Sequence, residues 1–240
     1  MTDVDPGPPI FTAVRAFDVE ALRRELAAGV DPDMREHDSG SGCTPLYYAA
    51  CWSGYPEEQV RERLECISAL LEAGASVDKL VCGATPLYHL VGIPSPECHV
   101  VVAALVEAGA DVNRANHTGF SVLAGAAASG TAAVVRTLIS AGALDLGALN
   151  VAIMFGKPRS CTPLLRAGAA LPAYTDTPYA PHNRAYVEPY IEKVRAAGGY
   201  KAYEKAHRQR LVAIFLPKFP TLPVEMLGRV LEFTWDIGGH

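Results

Sequence analysis

The sequence predicts an all-α fold, a solenoid of helix pairs joined by short β-hairpin loops, with a C-terminal helical extension. Two observations carry this reading. Between Val101 and Gly142 an apolar pair, a second apolar pair three positions on and a Gly recur with a period of 33: Val101, Val102, Leu105, Val106, Gly109, then Val134, Val135, Leu138, Ile139, Gly142. A period of this size marks a stacked supersecondary unit that cannot bury its apolar face alone. The same frame also returns three more times. Ala21, Leu22 and Leu26 lead to Gly29, with Glu25 the one miss; Cys66, Ile67, Leu70 and Leu71 lead to Gly74; Cys161, Leu164 and Leu165 lead to Gly168. The spacing is that of an amphipathic helix, and a Gly just past its end suits a left-handed stop.

Each of these helices has a partner upstream. Pro9, Val122 and Ala148 open it twenty positions before the Gly, whereas Pro45 stands 29 before Gly74 and Pro86 stands 23 before Gly109, so repeats two and three hold insertions. Thr44-Pro45-Leu46 and Thr85-Pro86-Leu87 each supply a hydroxyl N-cap, a Pro at the first helical position and a first buried residue. TPLYYAACWSG, TPLYHLVG, LLEAGASVD and LVEAGADVNRANHTG resemble ankyrin repeats. That resemblance covers roughly Pro8 to Leu171 and implies a β-turn and two antiparallel helices per repeat. It divides the chain into a leader (1–8), five repeats (9–171), a linker (172–184) and a helical extension (185–240) packed on the last repeat.

Repeat one, with PIFTAV, reads as an amino-terminal cap, and REHDSGSG after Met34 as an exposed hairpin tip. In repeat two the segment GYPEEQVRERL lengthens the second helix, which the sequence lets start near Pro56. Ile93-Pro94-Ser95-Pro96 makes a smaller insertion in repeat three. The His of the family's TPLH motif is absent throughout, its place taken by Thr12, Tyr47, Tyr88, Ala124 and Asn150, which leaves the family's usual inter-repeat hydrogen bonding in question. Repeat five runs from Ala148 to Leu171 and closes the stack. After it, PAYTDTPYAPHN reads as a linker, then VEPYIEKVRAA, YKAYEKAHRQRLVAIFL and PVEMLGRVLEFTW as three helices.

Composition bounds the rest. With 240 residues, 50% of them hydrophobic, the chain can bury a sizeable core. A net charge of −5 argues against nucleic-acid or membrane binding, although residues 181–240 are mildly basic, with 9 Lys and Arg against 6 Asp and Glu. None of the six Cys forms a C-x-x-C pair; Cys66 and Cys161 fall on core positions, so the thiols read as small buried hydrophobes in a reducing compartment. The acidic, Pro-rich start has no secretory pattern, and even VVVAALVEAGA is broken by Glu107. The expectation is a cytoplasmic or nucleocytoplasmic monomer without cofactor or metal.

Catalytic patterns are not found. Gly156-Lys157 lacks the rest of a phosphate loop, because position 151 is Val and Pro158 stands where Ser or Thr belongs. His89 and His99 lie near Cys98, but no fourth metal ligand is nominated. Lys201, Lys205 and Arg208 share a helical face that reads as solvated. The reading is therefore a non-enzymatic interaction module. The ankyrin resemblance implies that a protein partner binds hairpin tips and inner helix faces, here Cys51 and Trp52, then Lys79, Val81, Cys82 and Ala84, then Ala115, His117, Thr118 and Phe120, with Ser129 on repeat four. Trp52 and Phe120 are the expected anchors, since aromatics dominate interface energy; each position has packing against the next repeat as its alternative. In the tail, FPTLPVEMLGRVLEFT resembles an F-box-type helix, which implies a cullin ubiquitin ligase adaptor contact through Leu227, Val230, Leu231 and Phe233. The competing reading has this helix cover the end of the solenoid.

Overall fold

The computed structural model describes residues 8–36, 42–51, 59–93, 95, 97–129, 131–144, 147–171, 181–215, 217 and 226. Its described residues form helices and turns with one isolated antiparallel β-bridge, Val81 to Ala84, as the all-α reading with short hairpin loops expects. The chain divides into two compact units, 1–148 and 149–240.

Among its described residues the first unit holds four helix pairs: α1 (Pro9–Ala16) with α2 (Val19–Ala27), α3 (Pro45–Cys51) with α4 (Val60–Glu72), α5 (Pro86–Val91) with α6 (Cys98–Glu107), and α7 (Val122–Ser129) with α8 (Ala132–Ser140). Within each pair the helices pack together, and the first helices stack in the order α1, α3, α5, α7. Three of the first helices start where a hydroxyl caps them, whereas α1 follows Pro8 without a side-chain cap: Tyr47 N–H donates to Thr44 Oγ1 at 3.2 Å, Tyr88 N–H to Thr85 Oγ1 at 3.2 Å, and Ala124 N–H to Ser121 Oγ at 3.0 Å. Immediately after comes the residue that fills the core, Ile10, Leu46, Leu87 or Leu123, each at most 1% exposed. Burying such a side chain contributes about 1.5 to 3 kcal/mol.

The second helices end as the Gly frame requires. Gly74 has φ 92°; its N–H reaches Leu71 O at 3.0 Å, and Ala75 N–H reaches Leu70 O at 2.9 Å. Gly29, Gly109, Gly142 and Gly168 repeat this Schellman pattern. α1 stops the same way on a non-Gly residue, Phe17 at φ 51°, whose ring is buried and offsets the left-handed backbone.

The long insertion of repeat two leaves α4 the longest of the first unit's helices, at 13 residues. Its start at Val60 follows a stretch, 52–58, outside the described residues, so the expected beginning near Pro56 lies there too. On α4, Arg63 is buried and its guanidinium donates to Ala49 O, at 2.8 Å, and to Ala50 O at the carboxy-terminal end of α3. A cation at the negative end of a helix macrodipole ties the two helices of repeat two together.

In the second unit α9 (Ala148–Met154) leads to α10 (Pro158–Arg166), α11 (Pro181–Ala196) and α12 (Tyr200–Phe215). α11 opens at Pro181, ahead of the expected boundary at 185, because a proline is well placed in a first helical turn. α11 and α12 pack on each other and on α10. The contacts include Thr162 Oγ1 with Tyr190 Oη at 3.2 Å, Arg166 with Glu204 at 2.8 Å, and an edge-on Tyr190–Tyr203 pair. No helix among the described residues is long and apolar enough to cross a membrane.

Candidate functional site

The loops between repeats project as fingers, and the sequence makes each one differently. Finger two turns at Val81–Ala84, where Cys82 (φ 49°) and Gly83 (φ 78°) are both left-handed and Val81 and Ala84 exchange backbone hydrogen bonds of 2.9 and 3.1 Å. Positive φ at both central positions is a type I′ turn, which suits a tight hairpin. Finger three is organised by Asn116, whose Oδ1 accepts from Thr118 N–H at 3.0 Å, Thr118 Oγ1 at 2.8 Å and Phe120 N–H at 2.9 Å. Gly119 turns the chain at φ 84°.

Neighbouring fingers are tied together. Arg35 on finger one donates to Leu80 O on finger two at 3.0 Å. His117 N–H donates to Gly83 O at 2.9 Å, and its ring lies so close that a Cβ on Gly83 would stand 2.8 Å from His117 Nδ1. Upon this frame two large apolar side chains remain exposed, Leu80 at 37% and Phe120 at 50%.

A polar ladder at the foot of the fingers supplies the inter-repeat bonding that the missing TPLH histidines leave open. Asp33 Oδ1 accepts from Ser76 N–H at 3.0 Å, Asp78 Oδ2 from Asp111 N–H at 3.1 Å, and Asn113 Oδ1 from Leu144 N–H at 2.8 Å. Each acceptor stands four residues after the helix-stop Gly, and each donor two residues after the next one. An Asp or Asn at Gly+4 in three copies is visible in the sequence and identifies the ladder once its partner is sought one repeat on.

Repeats one and two share a second polar knot: the buried Glu36 carboxylate accepts from Arg15 and from Tyr48 Oη, and the Arg15 guanidinium lies 4.6 Å over the Tyr48 ring. A row of edge-on rings runs on from there, Tyr48 to Tyr47, Tyr47 to His89 at 5.1 Å, and His89 to Tyr88. Burial is the main reason the Tyr47 hydroxyl is pushed up to about 12; Tyr88 shifts the same way for the same reason. His89 Nε2 pairs with Val81 O at 2.9 Å and Cys98 Sγ with Leu90 O at 3.2 Å.

The residues expected to meet a partner fall into four groups. His117, Thr118 and Phe120 are exposed together on finger three, as are Ala115 and, on finger two, Cys82. Val81 and Ala84 are buried at the base of finger two, and Cys51 is buried with its thiol on Pro86 O, so all three hold the framework instead of facing outward. Lys79 is half-buried and pairs with Asp33 at 3.7 Å, and the Ser129 hydroxyl donates to Ala126 O on its own helix at 2.8 Å. Trp52, Leu227, Val230, Leu231 and Phe233 lie outside the described residues. Reasoning from sequence missed Leu80 and Arg35, because nothing in their local pattern says that a neighbouring finger stands beside them.

Tandem helix pairs, each closed by a left-handed Gly and joined through turn-built fingers, define a helical-repeat binding scaffold. The family model for the ankyrin repeat matches residues 41–80, so the chain carries an ankyrin repeat over that stretch. Two curated relatives, each named ankyrin repeat and SOCS box protein 11, from Homo sapiens and Pongo abelii, are 33% identical to it over 121 residues. The match covers 50% of this chain and 33% of each relative, so the chain spans about a third of the length of the relatives it matches.

Proposed function

We propose that this chain is a non-enzymatic module that binds an intracellular protein partner through fingers two and three and the adjoining inner helix faces. The observation that carries the reading is the tied pair of fingers. Exposed Leu80 and Phe120 stand on a platform held by the Gly83–His117 and Arg35–Leu80 hydrogen bonds, so little ordering is left to be done on binding. Thr118 and His117 supply polar groups around the apolar pair, and Trp52, outside the described residues, is a further expected anchor. Lys79 and Ser129 line the flanks.

The test is capture of partners on the immobilised full chain, with cross-linking to locate the contact. Phe120→Ala should abolish capture and leave the melting temperature unchanged, because half of the ring is already in water. Capture that survives Phe120→Ala and Leu80→Ala together removes the fingers from the interface.

A second reading treats the chain as a ubiquitin-ligase adaptor in which the repeats hold a substrate and Leu227, Val230, Leu231 and Phe233 contact the ligase. It is favoured by the relatives' printed name, which joins ankyrin repeats to a SOCS box, and by Ile214, 48% exposed near the end of α12. Pull-down with and without residues 217–240 separates the two: ligase components that disappear with the tail support the adaptor, and their absence from both samples rejects it.

A further inference from the structure

The inner face of repeats two to four carries a chemistry of its own. The first helices α1, α3, α5 and α7, with sequences PIFTAVRA, PLYYAAC, PLYHLV and VLAGAAAS, contain no Asp or Glu. Residues 79–84 and 112–121 of fingers two and three contain none either, yet they carry Lys79, Arg114 and His117. This is unusual placement in a chain of net charge −5. Apart from Glu36, which is buried and already taken by Arg15 and Tyr48, carboxylates described in the first unit stand on the second helices, as at Glu20, Glu62, Glu65 and Glu107, or at the foot of the fingers. There Asp33 and Asp78 accept backbone N–H groups of the next repeat, and Asp31 and Asp111 accept within their own turns.

Two hydroxyls mark the middle of this acid-free face. Tyr47 and Tyr88 occupy the position where related repeats place a His, both are half-buried, and among the described residues neither hydroxyl has a hydrogen-bond partner. The Tyr88 ring lies over Gly125 of α7, where a Cβ would stand 3.7 Å from Cε2 and 3.9 Å from Cζ. Repeat four thus offers a low floor at Gly125 beside the phenol ring. A half-buried phenol with no acceptor is a donor waiting for one, and its strength is greatest toward an ionised acceptor in a partly desolvated site.

We propose that this face takes an acidic protein segment with an apolar side chain, its carboxylates accepting from Tyr47 and Tyr88 and meeting the field of Arg35 and Arg114, and its apolar group meeting Phe120. The inference rests on the binding reading above and specifies the partner's chemistry. A nucleic acid fits less well: the cations are few and scattered over separate fingers, and both phenol rings are edge-on to neighbours rather than presented as stacking platforms.

The experiment uses the full chain and a short synthetic peptide alternating Glu with Phe and Leu, beside matched peptides in which Glu is replaced by Gln or by Lys, in titration calorimetry. The Glu peptide should bind about tenfold or more tighter than the Gln peptide, as expected for donation to a charged acceptor. The Lys peptide should not bind. Tyr47→Phe with Tyr88→Phe should bring the Glu and Gln peptides to near parity with the melting temperature unchanged. Equal binding of Glu and Gln peptides by the native chain, tighter binding of the Lys peptide, no binding of any of the three, or preferential binding of a single-stranded oligonucleotide each overturns the proposal. Partner capture that depends on Phe120 would still stand in those cases, so this failure is distinct from failure of the binding reading.

Discussion

The carboxylate of Asp78 accepts a hydrogen bond at 3.1 Å from the backbone N–H of Asp111, 33 residues further on. That spacing is one repeat. With Asp33 to Ser76 and Asn113 to Leu144 it forms a ladder that crosses every finger foot from repeat one to repeat four. Because its other oxygen, Oδ1, is buried with no partner among the described residues, Asp78 carries a desolvation cost that its charge enlarges. Asp78→Ala should therefore lower stability by about 1 to 2 kcal/mol through the orphaned N–H of Asp111. Asp78→Asn keeps the acceptor and should stay within about 0.5 kcal/mol of the native chain. Urea melts of both variants check this; equal losses would mean that the charge, not the acceptor, is what the site uses.

Gly83 and His117 should behave as a coupled pair. Gly83→Ala puts a methyl against the His117 ring, at 2.8 to 3.0 Å, on a backbone with φ 78°. A non-Gly residue there costs about 1 to 2 kcal/mol from the backbone alone, and the ring must move as well. His117→Ala in the Gly83→Ala background should recover the ring's share but not the backbone's. A double-mutant cycle reads the coupling; strict additivity would show that the fingers do not lean on each other.

Leu105 tests the repeat frame. It is fully buried on α6, at the position four before Gly109 that three of the other four copies fill with Leu70, Leu138 and Leu164, the first having Glu25 there. Leu105→Ala should cost about 2 to 4 kcal/mol by lost transfer and cavity formation. A chemical melt showing less than about 0.5 kcal/mol would place the core on another face of α6.

The thiols give a pH dependence whose sign is set by burial. Burial pushes Cys66 and Cys161 up to about 12 and Cys98 up to about 11, from the usual value near 9. The folded state holds these groups protonated while the unfolded chain releases protons, so stability is intact below about pH 9 and falls as pH rises from there through 11. Melting temperature followed from pH 7 to 10.5 should decline over the upper part of that range, and Cys98→Ala with Cys161→Ala should flatten the decline. At neutral pH Cys82, exposed on finger two, should react first with a disulfide reagent, ahead of the buried Cys43, Cys51, Cys66, Cys98 and Cys161.

Much of the fold could be read from residues because each repeat writes its own punctuation. The Thr or Ser cap, the buried residue that follows the opening position and the left-handed Gly are all local, and the structure places each where the frame does. What could not be read depends on neighbours far along the chain. That Val81 and Ala84 are buried follows from the type I′ turn, which required Cys82, a residue with no special preference for positive φ, to adopt it. The partners of Arg15 and Arg63 are likewise set by packing, Glu36 and Tyr48 for one and the carbonyls of Ala49 and Ala50 for the other, and neither pairing has a sequence period. The ladder stands between these cases, periodic in its acceptors but with its donors hidden in the backbone.

The tail separates the two remaining readings of Leu227, Val230, Leu231 and Phe233. Deleting residues 217–240 removes an apolar segment that follows α12, whose last turns hold Leu211, Val212, Ile214 and Phe215, all at least partly exposed among the described residues. If the segment covers apolar surface of the second unit, truncation uncovers it, and the shortened chain should melt lower and aggregate. Roughly four large side chains are involved, each contributing about 1.5 to 3 kcal/mol when fully buried, so the change in the melt would be large. If the segment instead serves a ligase adaptor, the repeats lose little by truncation, and only adaptor binding disappears. The expected result is the lower melting point, because an apolar segment left in water until a partner arrives would expose a patch of the kind that soluble proteins keep small. An unchanged melt together with loss of adaptor binding reverses that expectation and assigns the tail to the ligase.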